Sequence, residues 1–452
     1  MAGSDRRREI FEKLPIPRAV FLQIIPAIAA QLITLVYNLT DTFFVGLLNA
    51  PAESAAVMVV FPIAAMLTAV ANLFGVGGAS MLSQALGRRD NESTRAISAV
   101  SFWGGLLSAA AFCLLFALVR RPLLRLCGAT DETIRPALGY VRWVVLCGGV
   151  FSILNSLLAN LIRAEGGAAA ASRGISLGAV LNIILDPFFV LPRFLGMAAE
   201  GAGLATAIAT VCTSVYFAVH LYRSQNSSVL SFRVEWARQG LRHLRSILTI
   251  GLPAALQFGL AVIAVAAQSN FVSKYGTEAM AALGIIKKLD QLPLFVSQGT
   301  ATGLLPLLAY NYAAGNHDRR RKAFRFGCLF AFGFSMLCLV VYEFFAPRLV
   351  SIFIGDALTV RYGAAFLRRM VVAMPLMSIG YCATVHFQAM GHALEALVVT
   401  VIRKGLLDIP LLWLMDSIYP LYGCMWVQPI VDFFAVLAVF YFTRQLRRRE
   451  GL

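Results

Sequence analysis

Charged residues are scarce in this sequence of 452 residues. Asp, Glu, Lys and Arg make up 14% of the chain, whereas a soluble globular protein contains about 25%. Apolar residues make up 59%, and long apolar runs recur from one end to the other. Each run is long enough to cross the ~30 Å hydrocarbon core of a bilayer. The composition excludes an ordinary soluble protein and predicts a polytopic helical membrane protein.

Sequence patterns for enzymatic, redox or metal chemistry are also lacking. The eight cysteines include no Cys-x-x-Cys pair and nearly all lie in or beside apolar runs, so we expect neither a zinc site nor a disulfide framework. No nucleophile–base pair or phosphate-binding loop is present, and we predict that the protein is not an enzyme. No short apolar segment ends at a small-residue cleavage site, so we expect no cleavable signal peptide.

The basic residues give a formal net charge of +16, but their positions argue against a nucleic-acid partner. They form short clusters between apolar runs, such as "GRRDNESTR" and "NHDRRRK". Clusters of this kind flank membrane spans on the cytoplasmic side. With the N-terminus inside, the cytoplasmic segments hold about 24 Lys and Arg residues and the opposite side about eight. We therefore expect a multi-pass protein of the cell (inner) membrane, with an even number of spans and both termini in the cytoplasm.

Charged or Gly/Pro-rich breaks divide the chain into twelve predicted spans. Several are longer than a straight crossing needs, which implies tilt or projection beyond the bilayer. Their predicted limits are 19–48, 55–84, 96–119, 137–162, 172–192, 199–223, 244–273, 279–310, 323–346, 364–390, 394–415 and 420–443.

One polar stretch, residues 223–245, separates six spans from six. Apolar residues at helical spacing in its second half predict a helix that lies along the inner membrane surface; they are Val234, Ala237, Leu241 and Leu244. The predicted divisions are a cytoplasmic N-terminal segment (1–18), an N-lobe (19–223), a cytoplasmic linker (224–243), a C-lobe (244–443) and a basic cytoplasmic tail (444–452).

The two halves of the chain resemble each other. "IPAIAAQ…DTFFVG" and "LPAALQF…SNFVSKYG" align Pro26 with Pro253, and "GVGGASMLSQALGRRD" aligns without gaps to "GLLPLLAYNYAAGNHD". "LIRAEGGAA" resembles "HFQAMGHAL". The common order and the nearly constant spacing of about 225–228 residues indicate a duplication. Because each repeat has six spans, the halves are related by an axis along the membrane normal, an arrangement that places a substrate cavity at their interface.

A carboxylate, Asp41, lies inside the first apolar run. Thr34, Tyr37 and Asn38 precede it by seven, four and three residues and share its face of a helix. An ionised Asp at the bilayer centre costs about 2.5–3.5 kcal/mol. We therefore expect Asp41 to point into the bundle, toward these polar partners.

The fifth and sixth spans carry further oxygen-bearing side chains. Asn182 and Asp186 stand one turn apart, and Pro187 removes a backbone donor, which predicts a kink and a freed carbonyl beside the carboxylate. Oxygen ligands suit a hard cation such as Na⁺, whereas desolvation beside a second carboxylate makes a proton acceptor. Both chemistries stay open, as does a structural role between helices. The sixth span adds a stripe of hydroxyls, Thr206, Thr210 and Thr213.

The second half lacks this pattern. Gln268 stands where the first half has Asp41 and is followed by the equally neutral Ser269 and Asn270. We predict a local ion pair of Asp290 with a neighbouring lysine and place the titrating site in the first half only. The charged residues of these spans are Lys287, Lys288 and Asp290 in span eight, and Arg403, Lys404 and Asp408 in span eleven, where Arg403 reaches Asp408 only loosely at i+5.

Several ordered motifs resemble those of the multidrug and toxic compound extrusion (MATE) family, and the resemblance covers nearly the whole chain. The aspartate in span one places the chain nearer the DinF-like prokaryotic branch. The motifs are "YN-x-x-DTFFVG" in span one, "LN-x-x-LDP" in span five, "G-x-x-x-x-L-x-Y-N-Y-A-A-G" at the end of span eight and "R-x-x-L-L-D-I-P-L" in span eleven.

The resemblance implies an all-α membrane protein with twelve transmembrane helices in two six-helix lobes, arranged as a V about a pseudo-two-fold axis along the membrane normal. It implies export of organic, often cationic, amphiphiles against an H⁺ or Na⁺ gradient. We expect the protein to function as a monomer and to need no other cofactor. The family's N-lobe cation site, where Na⁺ is one candidate, carries over to Asp41, Asn182, Asp186 and Thr206, supported by Thr34, Tyr37, Asn38 and Thr210. In the second lobe the polar candidates are Gln268, Asn270, Lys288, Asp290 and Arg403; spans seven and ten lack the carboxylates that the NorM-like branch uses there.

These residues predict an antiporter. An ion from outside neutralises the carboxylate cluster, and span one, flexible at Pro26, repacks and lowers the affinity for substrate; Pro187 is a second candidate hinge. Two alternatives remain, namely a lipid-linked precursor flippase of the same superfamily and a non-transporting membrane scaffold. The acidic first half favours cationic cargo, and a scaffold has no use for buried titratable groups.

Overall fold

The computed structural model describes residues 7–48 and 50–449, and within these ranges the regular structure is helical. Residues 1–6 of the predicted N-terminal segment and 450–452 of the predicted tail lie outside the described residues. The helices are α1 (Ile16–Gly46), α2 (Pro51–Gly87), α3 (Asn91–Leu126), α4a (Ile134–Cys147), α4b (Gly149–Ala164), α5 (Ala168–Val190), α6 (Ala198–Ser224), α7 (Val234–Ser273), α8 (Thr277–Ala313), α9 (His317–Ser351), α10a (Ala357–Met370), α10b (Ala373–Ala389), α11a (Ala393–Val401), α11b (Asp408–Ile418) and α12 (Gly423–Arg449).

The described helices correspond to the twelve predicted spans. Nine of them are single helices long and apolar enough to cross a membrane, and two bent pairs, α4a/α4b (48°) and α10a/α10b (45°), each supply one more. The remaining span is the interrupted pair α11a/α11b, whose halves are joined by a wide helical turn, Ile402–Leu406. Lys404 in this turn has non-helical dihedral angles (φ −138°, ψ 21°). The predicted all-α membrane fold is therefore confirmed.

The linker differs from its prediction. Helix α7 begins at Val234 and continues without a break to Ser273, so the second half of the predicted surface segment forms the first turns of a membrane-spanning helix. Gly240 in these turns lies directly against the backbone carbonyl of Ala96 on α3. Because glycine has no side chain, the first turns of α7 pack closely against α3 of the N-lobe.

The apolar cores are arranged as a V. Among the described residues the largest core is shared by both lobes, a second lies only in the N-lobe, and the C-lobe has one large core and two small ones of its own. The shared core includes Ile24, Leu82, Ile162, Leu304 and Cys382. The N-lobe core includes Val60, Phe116, Val144 and Val190, and the C-lobe core includes Val272, Ile286, Phe366 and Val431. The lobes therefore meet at one end of the bundle, here called the closed end, and separate at the other, here called the open end.

Close helix approaches and hydrogen bonds seal the closed end. A Cβ on Gly299 of α8 would lie 2.7 Å from the Cα of Ile28 on α1, so only glycine permits this contact between lobes. The hydroxyl of Ser80 on α2 donates to the carbonyl of Gln388 on α10b at 2.7 Å, and the amide of Gln84 donates to the next carbonyl at 3.2 Å. Ser80, Gln84 and Gln388 lie in sequence motifs that resemble each other in the two halves, so these motifs are at the contact between the lobes.

The segments that precede each lobe pack on the opposite lobe at the closed end. Before the N-lobe, Arg319 of α9 donates to the carbonyls of Phe11 (2.7 Å) and Leu14 (2.6 Å), and the ring of Phe11 is fully buried. Before the C-lobe, the indole of Trp103 on α3 donates to the carbonyl of Phe232 at 2.9 Å. Each chain segment therefore fastens one lobe to the other.

Candidate functional site

Polar side chains gather inside the N-lobe near the open end. Asp41 lies in the last two turns of α1, Asp186 in the last two turns of α5 and Thr206 in the third turn of α6. These helix ends meet because α1 and α5 run toward the open end and α6 begins there. Both carboxylates are buried, and Asp186 is completely inaccessible. The structure therefore brings together acidic groups that are far apart in sequence.

Asn182 connects two of the three helices that hold this group, α5 and α6. With its amide oriented to satisfy both neighbours, the nitrogen donates to Asp186 Oδ2 at 3.1 Å, and the oxygen accepts from the Thr206 hydroxyl at 3.2 Å. Asn182 itself is buried. The amide fixes one carboxylate oxygen of Asp186 and leaves the other for a different partner.

Each carboxylate has an oxygen that the protein does not satisfy. Oδ1 of Asp41 and Oδ1 of Asp186 are buried and have no hydrogen-bond partner within the described residues. The two carboxylates are close enough to interact electrostatically with each other. Both also interact electrostatically with the phenol groups of Tyr37 and Tyr140. An unsatisfied buried carboxylate oxygen is costly unless it binds a proton or a cation. The carboxylate and amide oxygens present suit either one.

The predicted supporting residues divide into two groups. Tyr37 joins the pocket, but Asn38 is exposed, because three residues place it farther around the helix from Asp41 than four do. Thr34 donates to the carbonyl of Ala30, so its hydroxyl is satisfied by its own helix. Thr210 likewise donates within α6, to Ala207.

The two candidate hinge prolines lie inside continuous helices. Pro26 stands in α1 and Pro187 in α5, and neither interrupts its helix. Proline removes one backbone hydrogen bond in each case. Whether either position bends during function stays a prediction.

The C-lobe candidates occupy three different environments. Gln268 is buried and its amide donates to the carbonyl of Cys424 at 3.1 Å. Asn270 and Lys288 are exposed. Asp290 is half-buried and makes no ion pair with Lys287 or Lys288 in the described part of the chain, although Lys287 interacts with it electrostatically. The expected local ion pair is therefore not formed.

Arg403 has a partner that sequence reasoning did not identify. Its Nε lies 3.0 Å from Asp432 Oδ1 on α12, and both side chains are almost completely buried. The guanidinium also lies 4.3 Å from the ring centroid of Tyr381. Asp408 interacts with Arg403 only at longer range, because five residues place the two on different sides of the helix. A lone carboxylate in the apolar run "QPIVDFFAVL" is the same signal that singled out Asp41, and it was available in the sequence.

The match to a known protein family occurs twice, once in each half of the chain. The MatE family model matches residues 26–188 and again residues 253–414. The two matches begin at Pro26 and Pro253, the prolines that the internal alignment pairs. The chain belongs to the MatE family. This match confirms the family predicted from the motifs, and assignment to the DinF-like branch stays a prediction.

Relatives and solved structures agree with the MatE assignment over the whole chain. The multidrug export protein MepA of Staphylococcus aureus (strain N315) is 28% identical over 449 residues, covering 98% of this chain and 97% of the relative. A MATE crystal structure in complex with MaL6 has a TM-score of 0.90 at 24% identity, covering 97% of each chain. An outward-facing multidrug resistance MATE family transporter of the MOP superfamily has a TM-score of 0.88 at 23% identity, covering 98% of each chain. The structural likenesses extend to the fold of both lobes.

Proposed function

We propose that this MatE protein is a secondary active multidrug efflux transporter that exports amphiphilic, often cationic, organic compounds in exchange for H⁺ or Na⁺. The observation that carries the proposal is the pair of buried carboxylates, Asp41 and Asp186, each with an unsatisfied oxygen, beside the open end of the bundle. The multidrug export proteins among its relatives support the substrate class.

The closed end is the cytoplasmic end in this proposal. Residues 7–15, the linker and the end of α12 lie there, and the excess of Lys and Arg in these segments favours the cytoplasmic side. Both termini are then cytoplasmic and the space between the lobes opens to the exterior. The conformation described is accordingly the one that releases substrate and receives the coupling ion.

Ion binding acts by removing negative charge from the N-lobe pocket. A proton or Na⁺ removes one negative charge from the Asp41–Asp186 pair, and a cationic substrate is then attracted less strongly. The ion changes the conformational equilibrium only if it binds the two conformers unequally. Inward opening separates the lobes at the closed end, which breaks the bonds of Ser80 and Gln84 across the interface.

The available driving force is sufficient for multidrug export. A pH difference of one unit supplies about 1.4 kcal/mol per proton, and a membrane potential of 100 mV adds ~2.3 kcal/mol per charge moved. One ion exchanged for a substrate without net charge draws on both contributions and sustains a gradient of roughly a hundredfold or more. Exchange for a monovalent cation moves no net charge and sustains about tenfold per pH unit.

Reconstitution in liposomes tests the proposal. Purified protein is incorporated with ethidium as the probe, and a pH gradient or a Na⁺ gradient is imposed in separate experiments. We expect one gradient to drive ethidium movement and ethidium to drive ion movement in return. Ethidium movement that responds to neither gradient would contradict antiport and favour the flippase or scaffold alternatives.

A further inference from the structure

A small cavity lies inside the C-lobe between α7, α8, the broken helix α11 and α12. Its volume is about 20 Å³, which admits one water-sized group. Exposed Val265 on α7 forms part of its wall. The polar lining residues are Gln268, Lys287, Lys404, Asp408 and Gln428.

This cavity occupies the position in the C-lobe that the carboxylate pocket occupies in the N-lobe. Asp41 and Gln268 each stand fifteen residues after the start of their family match, at 26 and 253. Asn182 and Asp408 each stand six residues before the ends of the matches, at 188 and 414. Gln268 and Asp408 both line the cavity. The duplication therefore built two equivalent pockets, one in each lobe.

The C-lobe pocket has a basic lining. Lys287 has no hydrogen bond or ion pair within the described residues, and Lys404 donates to Gln428 Oε1 at 2.8 Å. The amide of Gln428 donates in turn to Asp432 Oδ2 at 2.9 Å. Asp432 is therefore engaged by Gln428 and by its ion pair with Arg403, and it does not neutralise either lysine directly.

One carboxylate shares the cavity with the two lysines. Asp408 is buried, and its Oδ2 has no hydrogen-bond partner within the described residues. Asp290 lies outside the lining but interacts electrostatically with Lys287, so the two carboxylates balance the two ammonium charges. Within the lining itself two ammonium groups face one carboxylate, and among the described residues Lys287 keeps its hydrogen-bond donors free for a ligand. Two ammonium groups exclude a metal cation from so small a space, whereas an anionic oxygen gains charge-assisted hydrogen bonds from both.

We propose that this pocket is an anion subsite that binds the carboxylate of amphiphilic substrates carrying both positive and negative charge, with Lys287 and Lys404 as its donors. The proposal rests on the transport function proposed above and adds a second recognition element to it. The N-lobe pocket attracts the cationic part of such a substrate, and the C-lobe pocket binds its carboxylate across the space between the lobes.

A matched pair of dyes tests the subsite. Rhodamine 6G is a cationic ethyl ester, and its hydrolysed free acid has the same ring system with a carboxylate in place of the ester. We expect Lys287→Gln and Lys404→Gln each to weaken binding of the free acid about tenfold, the loss of one charged hydrogen bond, and to leave binding of the ester unchanged. Binding is measured by fluorescence polarisation on purified protein, so this readout does not depend on transport.

Controls separate recognition from structure. Lys322→Gln makes the same charge change on α9, where the side chain is exposed and outside the cavity, and we expect no change in the ratio of the two affinities. Equal weakening of acid and ester in Lys287→Gln, with a lower melting temperature, would mean that the lysine only holds the C-lobe together and would contradict the subsite. An unchanged ratio in both lysine variants would contradict it as well.

Two further outcomes identify the occupant and separate the two proposals. Replacing chloride by gluconate should leave binding of both dyes unchanged. Tighter binding of the free acid in gluconate by the wild type, but not by Lys287→Gln, would mean that chloride competes for the site. The site would then bind any small anion, which would overturn the substrate assignment. A wild type that discriminates acid from ester in binding but moves neither dye along an ion gradient would refute the transport function and leave the subsite standing.

Discussion

The two lobes have the same topology and equivalent pockets, but they fill those pockets in opposite ways. The N-lobe pocket holds two carboxylates with unsatisfied oxygens, whereas the C-lobe pocket is lined by two lysines and one carboxylate. Beside it, Arg403 and Asp432 form an almost completely buried ion pair, and the described residues of the N-lobe contain no ion pair as deeply buried. The difference teaches that duplication determines where a pocket lies, and that a few side chains determine what it binds.

One position shows how the difference arises. Four residues before Asn182, α5 has Gly178, where a Cβ would collide with the hydroxyl of Thr213. Four residues before Asp408, α11 has Lys404. The helix continues past Gly178 but is interrupted at Lys404. Interrupted membrane helices recur at binding sites because they expose backbone groups and redirect side chains.

The largest expected effect is a loss of stability when the buried ion pair of the C-lobe is broken. Asp432→Asn leaves the guanidinium of Arg403 buried without a charge partner, and we expect a loss of about 3–5 kcal/mol of stability, measured as a lower melting temperature in detergent. The double variant Arg403→Met with Asp432→Leu removes both charges, and we expect it to recover most of that loss. A melting temperature unchanged in Asp432→Asn would show that the pair contributes nothing to stability.

The second expected effect is on transport and concerns the N-lobe. Asp41→Asn removes one of the charges that bind the coupling ion, so we expect the ethidium gradient driven by a one-unit pH difference or a tenfold Na⁺ difference to fall about tenfold, because one ion exchanged for a monovalent cation supplies about 1.4 kcal/mol. Protein abundance and melting temperature should be unchanged, because Asp41 makes no hydrogen bond to a described residue that the amide would lose. Asp131→Asn, at a side chain that is 94% exposed, is the control. Efflux at the wild-type rate in Asp41→Asn would remove this site from the mechanism.

The architecture could be predicted from the sequence because it depends on two local features, the apolar runs and the carboxylates inside them. Apolar runs must match the bilayer, and a carboxylate in such a run must have a partner. The partners themselves depend on tertiary packing. Tyr140 reaches the acidic pocket from α4a, and Asp432 reaches Arg403 from α12. No spacing rule within one helix identifies contacts between helices.

The closed end offers a further test of the lobe comparison. Arg319 holds the segment before the N-lobe through two short bonds to carbonyls of Phe11 and Leu14. We expect Arg319→Ala to shift the equilibrium about tenfold toward opening at the closed end, since hydrogen bonds from charged groups are worth about 1.5–3 kcal/mol. Distances between spin labels on α2 and α10b report the opening. Arg325→Ala, at an exposed arginine on the same helix, should leave the distances unchanged, and a shift of equal size there would indicate a general charge effect.

The smallest expected effect compares aligned aspartates of the two repeats. Asp90 caps α3, with Oδ1 accepting from the backbone N–H of Ser93 at 2.9 Å, whereas Asp318 is exposed and forms a surface ion pair with Lys322. We expect Asp90→Ala to cost about 1 kcal/mol and Asp318→Ala to leave the melting temperature unchanged.

The Asp90 cap also predicts a pH dependence. The hydrogen bonds from Ser93 lower the pKa of Asp90 below its ordinary value. A lowered pKa in the folded state means that the stabilisation is present above the unfolded value of about 4 and is lost as the pH falls through the folded value. The stability difference between wild type and Asp90→Ala should therefore shrink below about pH 4; a difference that persists in acid would show that the cap does not act through the carboxylate.

The shared core at the closed end couples the two ends of the molecule in one conformational equilibrium. When the lobes separate at the closed end, apolar surface there becomes exposed to solvent. A similar apolar area must become buried between the lobes at the open end. At about 25 cal/mol per Å², the ~1.4 kcal/mol from a proton crossing one pH unit offsets only ~60 Å² of mismatch. The two ends must therefore conceal nearly equal apolar areas, and enlarging one side chain at either end would tilt the resting state as strongly as the ion does.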